Sequence, residues 1–117
     1  MITGIDINAI TDFTCADDKD QPTVWKIGVL SSCAAAQMSQ MAAQEEYIDA
    51  MFKVFRLCVK GWDNFNIEYK TDTAVIFGKK VDSVSMDIVD RIPMKVIMEV
   101  ASKIMEMSNL SAGEQKN

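Results

Sequence analysis

The chain has 117 residues, with 12 Lys and Arg against 17 Asp and Glu, and a formal net charge of −5. Its length fits one domain with one core, and an apolar fraction of 49% is typical of a globular protein. The largest basic cluster is the pair Lys79 and Lys80, so we expect no nucleic-acid ligand. We predict a single domain over residues 1–117, with flexible ends at residues 1–11 and 109–117.

The sequence also bears on where the protein works. It contains no apolar run of the ~20 residues that a bilayer span requires, and the start "MITGIDINAITDF" lacks the basic and apolar parts of a signal peptide. Three cysteines, Cys15, Cys33 and Cys58, are an odd number at wide spacing, which fits buried thiols in a reducing compartment. We therefore expect a cytosolic protein with no membrane partner.

The side-chain inventory argues against catalysis. Histidine is absent, which excludes Ser-His-Asp and Cys-His arrangements and His-based zinc sites. The acidic cluster Asp17, Asp18 and Asp20 lacks the ligand order, central glycine and final glutamate of an EF-hand, so we interpret it as a solvated loop. We predict a protein that is not an enzyme and that has no metal and no cofactor.

The first half of the chain predicts a hairpin and then helix. "TDFTC" and "TVWKIGV" are rich in β-branched and aromatic residues and flank the polar turn "ADDKDQP". Ser31 or Ser32 can cap one long helix, or two, ending near Gly61. Cys58, Val59 and Trp62 continue the apolar helical spacing of its second half. Residues 34–44, rich in Ala, Gln and Met, bury little area per residue and have no evident role.

The second half predicts another hairpin and two more helices. "IEYK" and "TAVIF" flank Thr71 and Asp72, with Gly78 closing the hairpin. Ser85 can cap the short helix "MDIVDR", and Pro93 suits the first turn of the helix "PMKVIMEVASKIMEM". We predict an α+β fold, mainly helical, with one or two short antiparallel β-hairpins forming a small sheet.

The last helix has an unusually wide apolar face. On a helical wheel its polar residues keep only about 100° of the circumference. Such a helix has either two neighbours in its own domain or one neighbour outside it, which would be another protein or a second copy of this chain. Methionine adapts well to irregular partner surfaces. At the i, i+3, i+4 spacing of a helix-in-groove contact, the predicted partner-binding residues are Met94, Ile97, Met98, Ala101 and Met105.

The end of the chain allows two interpretations. Asn109 can stop the last helix in a left-handed conformation, and the polar residues after it would then fray. Alternatively, residues 111–114 match the spacing of a capping box, although a helix beginning there would be too short to persist without a partner.

Two stretches carry a family resemblance. "VKGWDNFN" followed by "TAVIFGKKVDSVSMDIVDRIPMKVIMEVASKIMEMSNLSAGEQKN" resembles the C-terminal half of small tail-assembly proteins of long-tailed bacteriophages. Upstream, "KDQPTVWKIGVLSS" resembles the opening of the same group: an acidic stretch, a "PTVW" strand and then a helix. The likeness covers residues 12–117, except that residues 34–44 match no pattern of the group.

The resemblance implies a tail assembly chaperone of a phage or prophage. Such a protein is non-enzymatic, acts in the cytosol of the bacterial host, and binds the long apolar tape-measure protein until tail-tube subunits polymerise around it. The acidic charge and the methionine-rich helix agree with that role, since a chaperone of this kind needs solubility and adaptable apolar surface.

Two other functions remain open. A structural tail or head-to-tail joining subunit would use the same apolar face for a permanent contact and would be retained in the virion. A decoy that occupies a basic groove on a host defence protein would rely on acidic charge and small size alone.

Overall fold

The computed structural model describes residues 1–76 and 78–113. Within those ranges the chain forms four helices and five strands, and the strands make two separate antiparallel sheets. The predicted α+β class, with short antiparallel hairpins beside the helices, is therefore confirmed. In the described ranges the two hairpins lie in separate sheets and do not pair with each other.

The first sheet contains the predicted N-terminal hairpin. Strand β1 spans Thr11–Phe13 and strand β2 spans Val24–Ile27, and they run antiparallel. Trp25 and Ile27 alternate with more exposed neighbours and are 2% and 0% exposed. This period of two places one face of β2 on the core.

A third strand, β3 (Val59–Asp63), lies on the other side of β2. The helical spacing that predicts Val59 and Trp62 on a helix, with Gly61 as its stop, is wrong here. Backbone pairing puts Gly61 opposite Lys26 of β2. Pairing with a neighbouring strand outweighs local spacing over so short a segment.

Two helices connect β2 to β3. Helix α1 spans Ser32–Ala43, and the Ser31 hydroxyl accepts a hydrogen bond from the backbone N–H of Ala34 at 3.2 Å, as predicted for a cap. Helix α2 spans Tyr47–Cys58. Between them Glu45 has a φ of 68°, a left-handed conformation that ends a helix. Of the two predicted alternatives, one long helix or two, the structure has two.

The second hairpin lies later than predicted. Strand β4 spans Thr71–Ile76 and strand β5 spans Lys79–Val84, so Thr71 and Asp72 belong to a strand rather than a turn. Gly78, with a φ of 74°, stands in the connection between the two strands.

The predicted strand "IEYK" is not a strand. The indole N–H of Trp62 donates to the Ile67 carbonyl at 2.7 Å, and the Tyr69 hydroxyl donates to the Val59 carbonyl at 2.9 Å. These bonds fasten the segment to β3 instead of placing it in the hairpin.

The short helix α3 spans Met86–Val89. The Ser85 carbonyl accepts the backbone N–H of Ile88 and of Val89 at 3.1 and 3.0 Å. Among the described residues the Ser85 hydroxyl makes no capping bond, so the helix begins where predicted but without the predicted side-chain cap.

Helix α4 spans Met94–Gly113 and starts directly after Pro93, as predicted. The Pro93 carbonyl accepts the first backbone hydrogen bond of the helix, from Val96 at 2.9 Å. The helix continues through Asn109, so the predicted stop there is wrong. Glu114, the second half of the capping-box spacing, lies outside the described residues.

The core lies between α2 and the elements around it. Helix α2 packs against α1, α4 and β5, and the buried apolar side chains form one cluster. The ring centroids of Phe55 on α2 and Trp25 on β2 are 5.8 Å apart, in an edge-to-face arrangement. Met38 of α1 and Ile104 of α4 are both 0% exposed. The alanine-rich helix α1 therefore contributes to the core despite its small side chains.

Candidate functional site

The five predicted partner-binding residues do not share one accessible surface. Ile97 and Ala101 are 1% and 0% exposed, so in this conformation they pack in the core and offer nothing to a partner. Met94 is 50% exposed, and Met98 and Met105 are partly buried against the core. The burial has a simple cause: α4 has two neighbours in its own domain, α2 and α1, which cover most of the wide apolar face.

The motifs that carry the phage resemblance meet in the structure. Trp25 of "PTVW" and Trp62 of "VKGWDNFN" are register partners in the sheet, and their ring centroids are 5.4 Å apart. The Thr23 hydroxyl donates to the Asn64 carbonyl at 2.9 Å. Phe65 packs on both tryptophans, with centroids at 5.2 and 5.4 Å. These motif residues form a structural framework, so a binding surface must be sought among other residues.

An apolar groove of about 380 Å³ lies on the surface of the molecule. Its walls come from four separate parts of the chain: the N-terminal segment, the connection from β2 into α1, the junction of α2 with β3, and the second hairpin. The lining residues are Ile7, Val29, Leu30, Ser31, Cys33, Ala34, Gln37, Leu57, Cys58, Lys60, Ile76, Lys79 and Val81.

Two lysines give the groove a positive character on an acidic molecule. The Lys60 ammonium donates to the Leu57 carbonyl at 3.0 Å, and neither Lys60 nor Lys79 forms an ion pair within the described ranges. Other lysines of the chain do: Lys26 lies 2.9 Å from a carboxylate oxygen of Asp12. The charge of the groove is thus available to a ligand.

The three thiols differ sharply in environment. Burial raises the pKa of Cys58 to about 12 and that of Cys15 to about 11, the nearby Glu99 carboxylate adding to the latter shift. Cys33 is exposed and lines the groove, so the expectation of three buried cysteines is wrong for this one. Because Cys33 is exposed and the other two thiols are buried, Cys33 is the thiol that a reagent can reach.

A second, shallower depression of about 390 Å³ lies where α1, α2 and α4 meet. Met105, one of the predicted partner-binding residues, lines it together with Met51 and Tyr47. Tyr47 and the adjacent Ile48 are 46% and 49% exposed, so apolar surface extends along the start of α2.

The acidic loop between β1 and β2 is tied to α4. The Asp17 carboxylate accepts a hydrogen bond from the Lys95 ammonium at 2.7 Å, which lowers the pKa of Asp17 below its usual value. Glu99 accepts the backbone N–H of Ala16 at 2.7 Å, and Asp18 accepts that of Thr23 at 2.8 Å. In the part of the chain that the structure describes, no three His, Cys, Asp or Glu side chains gather as a metal site would require.

Comparisons with protein-family models, curated proteins and solved structures gave no match to this chain. No helix within residues 1–76 and 78–113 combines the length and apolar character needed to cross a bilayer.

The groove could not be predicted from the sequence, because its lining residues come from several separate segments of the chain. The sequence contains only weak signals of such a groove. Val29 and Leu30 prolong the apolar run beyond β2, and Val81 lies among the lysines and aspartate of β5. Only the tertiary arrangement shows that these side chains share one surface.

Proposed function

We propose that this protein is a non-enzymatic binding protein that acts as a phage tail assembly chaperone in the bacterial cytosol, holding an apolar segment of the tape-measure protein. The observation that carries the proposal is the open, apolar groove of about 380 Å³ on a molecule with a net charge of −5. The groove offers apolar contact, and the excess charge opposes self-association of the complex.

The resemblance to phage tail-assembly proteins supports the tail-specific part of the proposal. Its motifs form the framework around Trp25 and Trp62, which orders β2 and β3. Residues 29–31 of the groove follow β2 after one intervening residue, Gly28, and Lys60 lies within β3. The stretches that carry the resemblance therefore lie next to two walls of the groove, which supports the proposal.

Exposed methionine on α4 adds a second contact surface. Met94 is 50% exposed at the start of the helix, and Met98 follows one turn later, partly buried. Flexible thioether side chains suit a partner that changes shape during assembly. In this proposal the groove is the main binding surface, and the accessible part of the predicted set, Met94 with Met98, is a separate contact on α4 that does not line the groove.

The test is co-expression with the tape-measure protein encoded in the same genome. The wild-type chain is expected to raise the soluble fraction of the tape-measure protein. Val81→Asp, which puts a carboxylate into the groove wall, is expected to abolish the gain. Val75→Asp is the matched control, because Val75 lies on the same hairpin, is 68% exposed and does not line the groove.

Folding of each variant is checked by circular dichroism. If Val81→Asp unfolds the chain, Cys33→Asp at an exposed position of the groove replaces it. An unchanged soluble yield with the wild-type chain would overturn the proposal, and so would equal activity of the wild-type chain and the groove variants.

The alternative, a structural tail or head-to-tail joining subunit, is favoured by one observation. Tyr47 and Ile48 place two half-exposed apolar side chains side by side at the start of α2, where a permanent subunit contact could cover them. Mass spectrometry of purified particles separates the two functions. A chaperone is absent from the finished virion, whereas a subunit is present in fixed stoichiometry.

A further inference from the structure

We propose that the groove recognises a polypeptide segment of mixed chemistry, with apolar side chains for the groove walls and at least one carboxylate for Lys60 and Lys79. The inference rests on the proposed function in one respect, that the groove is the binding surface. It adds the chemistry by which a partner segment is selected.

The groove walls leave apolar surface for a ligand to cover. Val29, Leu57 and Val81 are each only partly buried, so apolar surface remains for a ligand to cover. Ile76 and Cys58 behind them are 7% and 2% exposed and belong to the core. A ligand side chain placed here would extend that core, and removal of apolar surface from water favours binding.

The two lysines of the groove provide positive charge for a carboxylate of the ligand. Among the described residues Lys60 and Lys79 have no carboxylate partner, although the chain holds 17 acidic residues against 12 basic ones. A carboxylate beside an apolar wall is partly desolvated there, so its attraction to the ammonium groups is screened less than in open solvent. Two cations are too few for a nucleic-acid backbone. An acidic polypeptide segment matches both the two lysines and the proposed function.

The N-terminal segment beside the groove has the composition of such a ligand, although the Asp6 carboxylate accepts the backbone N–H of Asn8 at 3.0 Å and does not pair with Lys60 or Lys79 within the described ranges. Asp6 precedes Ile7, and the two lie in a turn in which the Ala9 N–H donates to the Asp6 carbonyl at 3.2 Å. Ile7 lines the groove, yet it is 57% exposed. A Cβ built on Gly28 would lie 3.7 Å from both the Ala9 carbonyl oxygen and Cε of Lys60, so the segment passes close to that lysine.

This loose contact has a consequence for binding. The N-terminal segment occupies one edge of the groove with a single side chain, and a partner with more apolar contacts would displace it. Because Ile7 belongs to the same chain, it competes at a high effective concentration. Removing its side chain should therefore strengthen binding of a segment added from outside.

The experiment uses the Cys33 thiol as a reporter. Cys33 lines the groove and is exposed, whereas Cys15 and Cys58 are buried, so the rate of the fast reaction with a thiol reagent such as DTNB reports whether the groove is filled. The full-length Ile7→Ser chain is the receptor. The probes are a capped peptide of residues 1–10, "MITGIDINAI", and the same peptide with Asp6→Lys.

The acidic peptide is expected to slow the Cys33 reaction in a saturable way. The Asp6→Lys peptide is expected to bind roughly 3- to 10-fold more weakly, as befits one or two partly exposed charge pairs. High salt should reduce the difference between the two peptides. The wild-type chain should bind the acidic peptide more weakly than Ile7→Ser does.

Charge reversal at the groove supplies the second arm. The double variant Lys60→Glu and Lys79→Glu is expected to lose the preference for the acidic peptide or to reverse it. Lys19→Glu with Lys70→Glu changes the net charge equally at residues that do not line the groove, and it should keep the preference. Each rate is normalised to that of the same variant without peptide, because the substitutions also alter the electrostatic environment of the thiol.

Equal protection by both peptides, or an acidic preference that survives reversal at Lys60 and Lys79, would overturn the inference. Absence of protection by either peptide would overturn it as well. Failure of the proposed function looks different: the peptide preference would hold while the tape-measure protein stayed insoluble. Conversely, Val81→Asp could abolish solubilisation of the tape-measure protein while the double lysine variant still supports it. That result would support the proposed function and overturn the inference that the lysines select an acidic segment.

Discussion

The hydroxyl group of Ser108 on α4 accepts a hydrogen bond from the backbone N–H of Leu30 at 3.0 Å and donates one to the Ile104 carbonyl at 2.8 Å. Ser108 and Leu30 are 5% and 2% exposed, so the link is shielded from water. Leu30 belongs to the wall of the groove. A polar contact inside the core thus joins the last helix to the segment that shapes the binding surface.

We expect Ser108→Ala to destabilise the fold. The substitution leaves the buried N–H of Leu30 without its acceptor, which costs about 1–3 kcal/mol of the free energy of unfolding. Urea denaturation followed by circular dichroism measures the change. Ser102→Ala, at an exposed position on the same helix, is the control and should be nearly neutral. Equal unfolding midpoints for the two variants would contradict the role given to Ser108.

The methionines are expected to separate into structural and surface groups. Met38→Ala removes a side chain that is 0% exposed and should cost about 2–5 kcal/mol of stability. Met94→Ala alters a side chain that is 50% exposed and should change stability little. Urea denaturation of both variants tests the contrast. If Met94→Ala also weakens solubilisation of the tape-measure protein, the exposed start of α4 takes part in binding.

The connection of the second hairpin depends on glycine at position 78. Its φ of 74° is unfavourable for residues with a Cβ, although a Cβ there would meet no atom within 4 Å. Gly78→Ala should therefore lose about 1–2 kcal/mol through backbone strain alone. Gly4→Ala, at a position equally open and without positive φ, is the matched control for thermal denaturation. A Gly78→Ala chain as stable as the control would contradict the strain argument.

The sequence predicted the elements that local chemistry determines. Ser31 caps α1 because its hydroxyl reaches a nearby N–H, and Pro93 opens α4 because it needs no N–H of its own. Strand β3 could not be predicted in this way, because Val59 and Trp62 fit a helical period equally well. The pairing of Ile27 with Val59, 32 positions along the chain, decides the conformation.

The difference between local chemistry and tertiary packing also explains how much of the candidate site could be predicted from the sequence. A wide apolar face on α4 can be read from the sequence, but its period does not say which side another helix will cover. The structure places Ile97 and Ala101 in the core and leaves Met94 exposed. The groove is less predictable still, since Val29, Leu57 and Val81 meet only after α1 and the second hairpin have packed on α2.

The last prediction concerns alkaline pH and Cys58. Burial raises the pKa of this thiol from 9.0 to about 12 in the folded chain. Above pH 9.0 the unfolded chain releases the proton that the folded chain keeps, so the free energy of unfolding should fall as pH rises from 9 toward 12. For one proton the slope approaches about 1.4 kcal/mol per pH unit.

Cys58→Ala should make that slope shallower, whereas Cys33→Ala, which removes an exposed thiol, should leave it as in the wild-type chain. Part of the slope will remain in Cys58→Ala, because burial also raises the pKa of Cys15, to about 11. Urea denaturation under reducing conditions at several pH values between 8 and 11 measures the three slopes. Parallel curves for Cys58→Ala and the wild-type chain would show that Cys58 does not hold its proton more tightly in the folded protein.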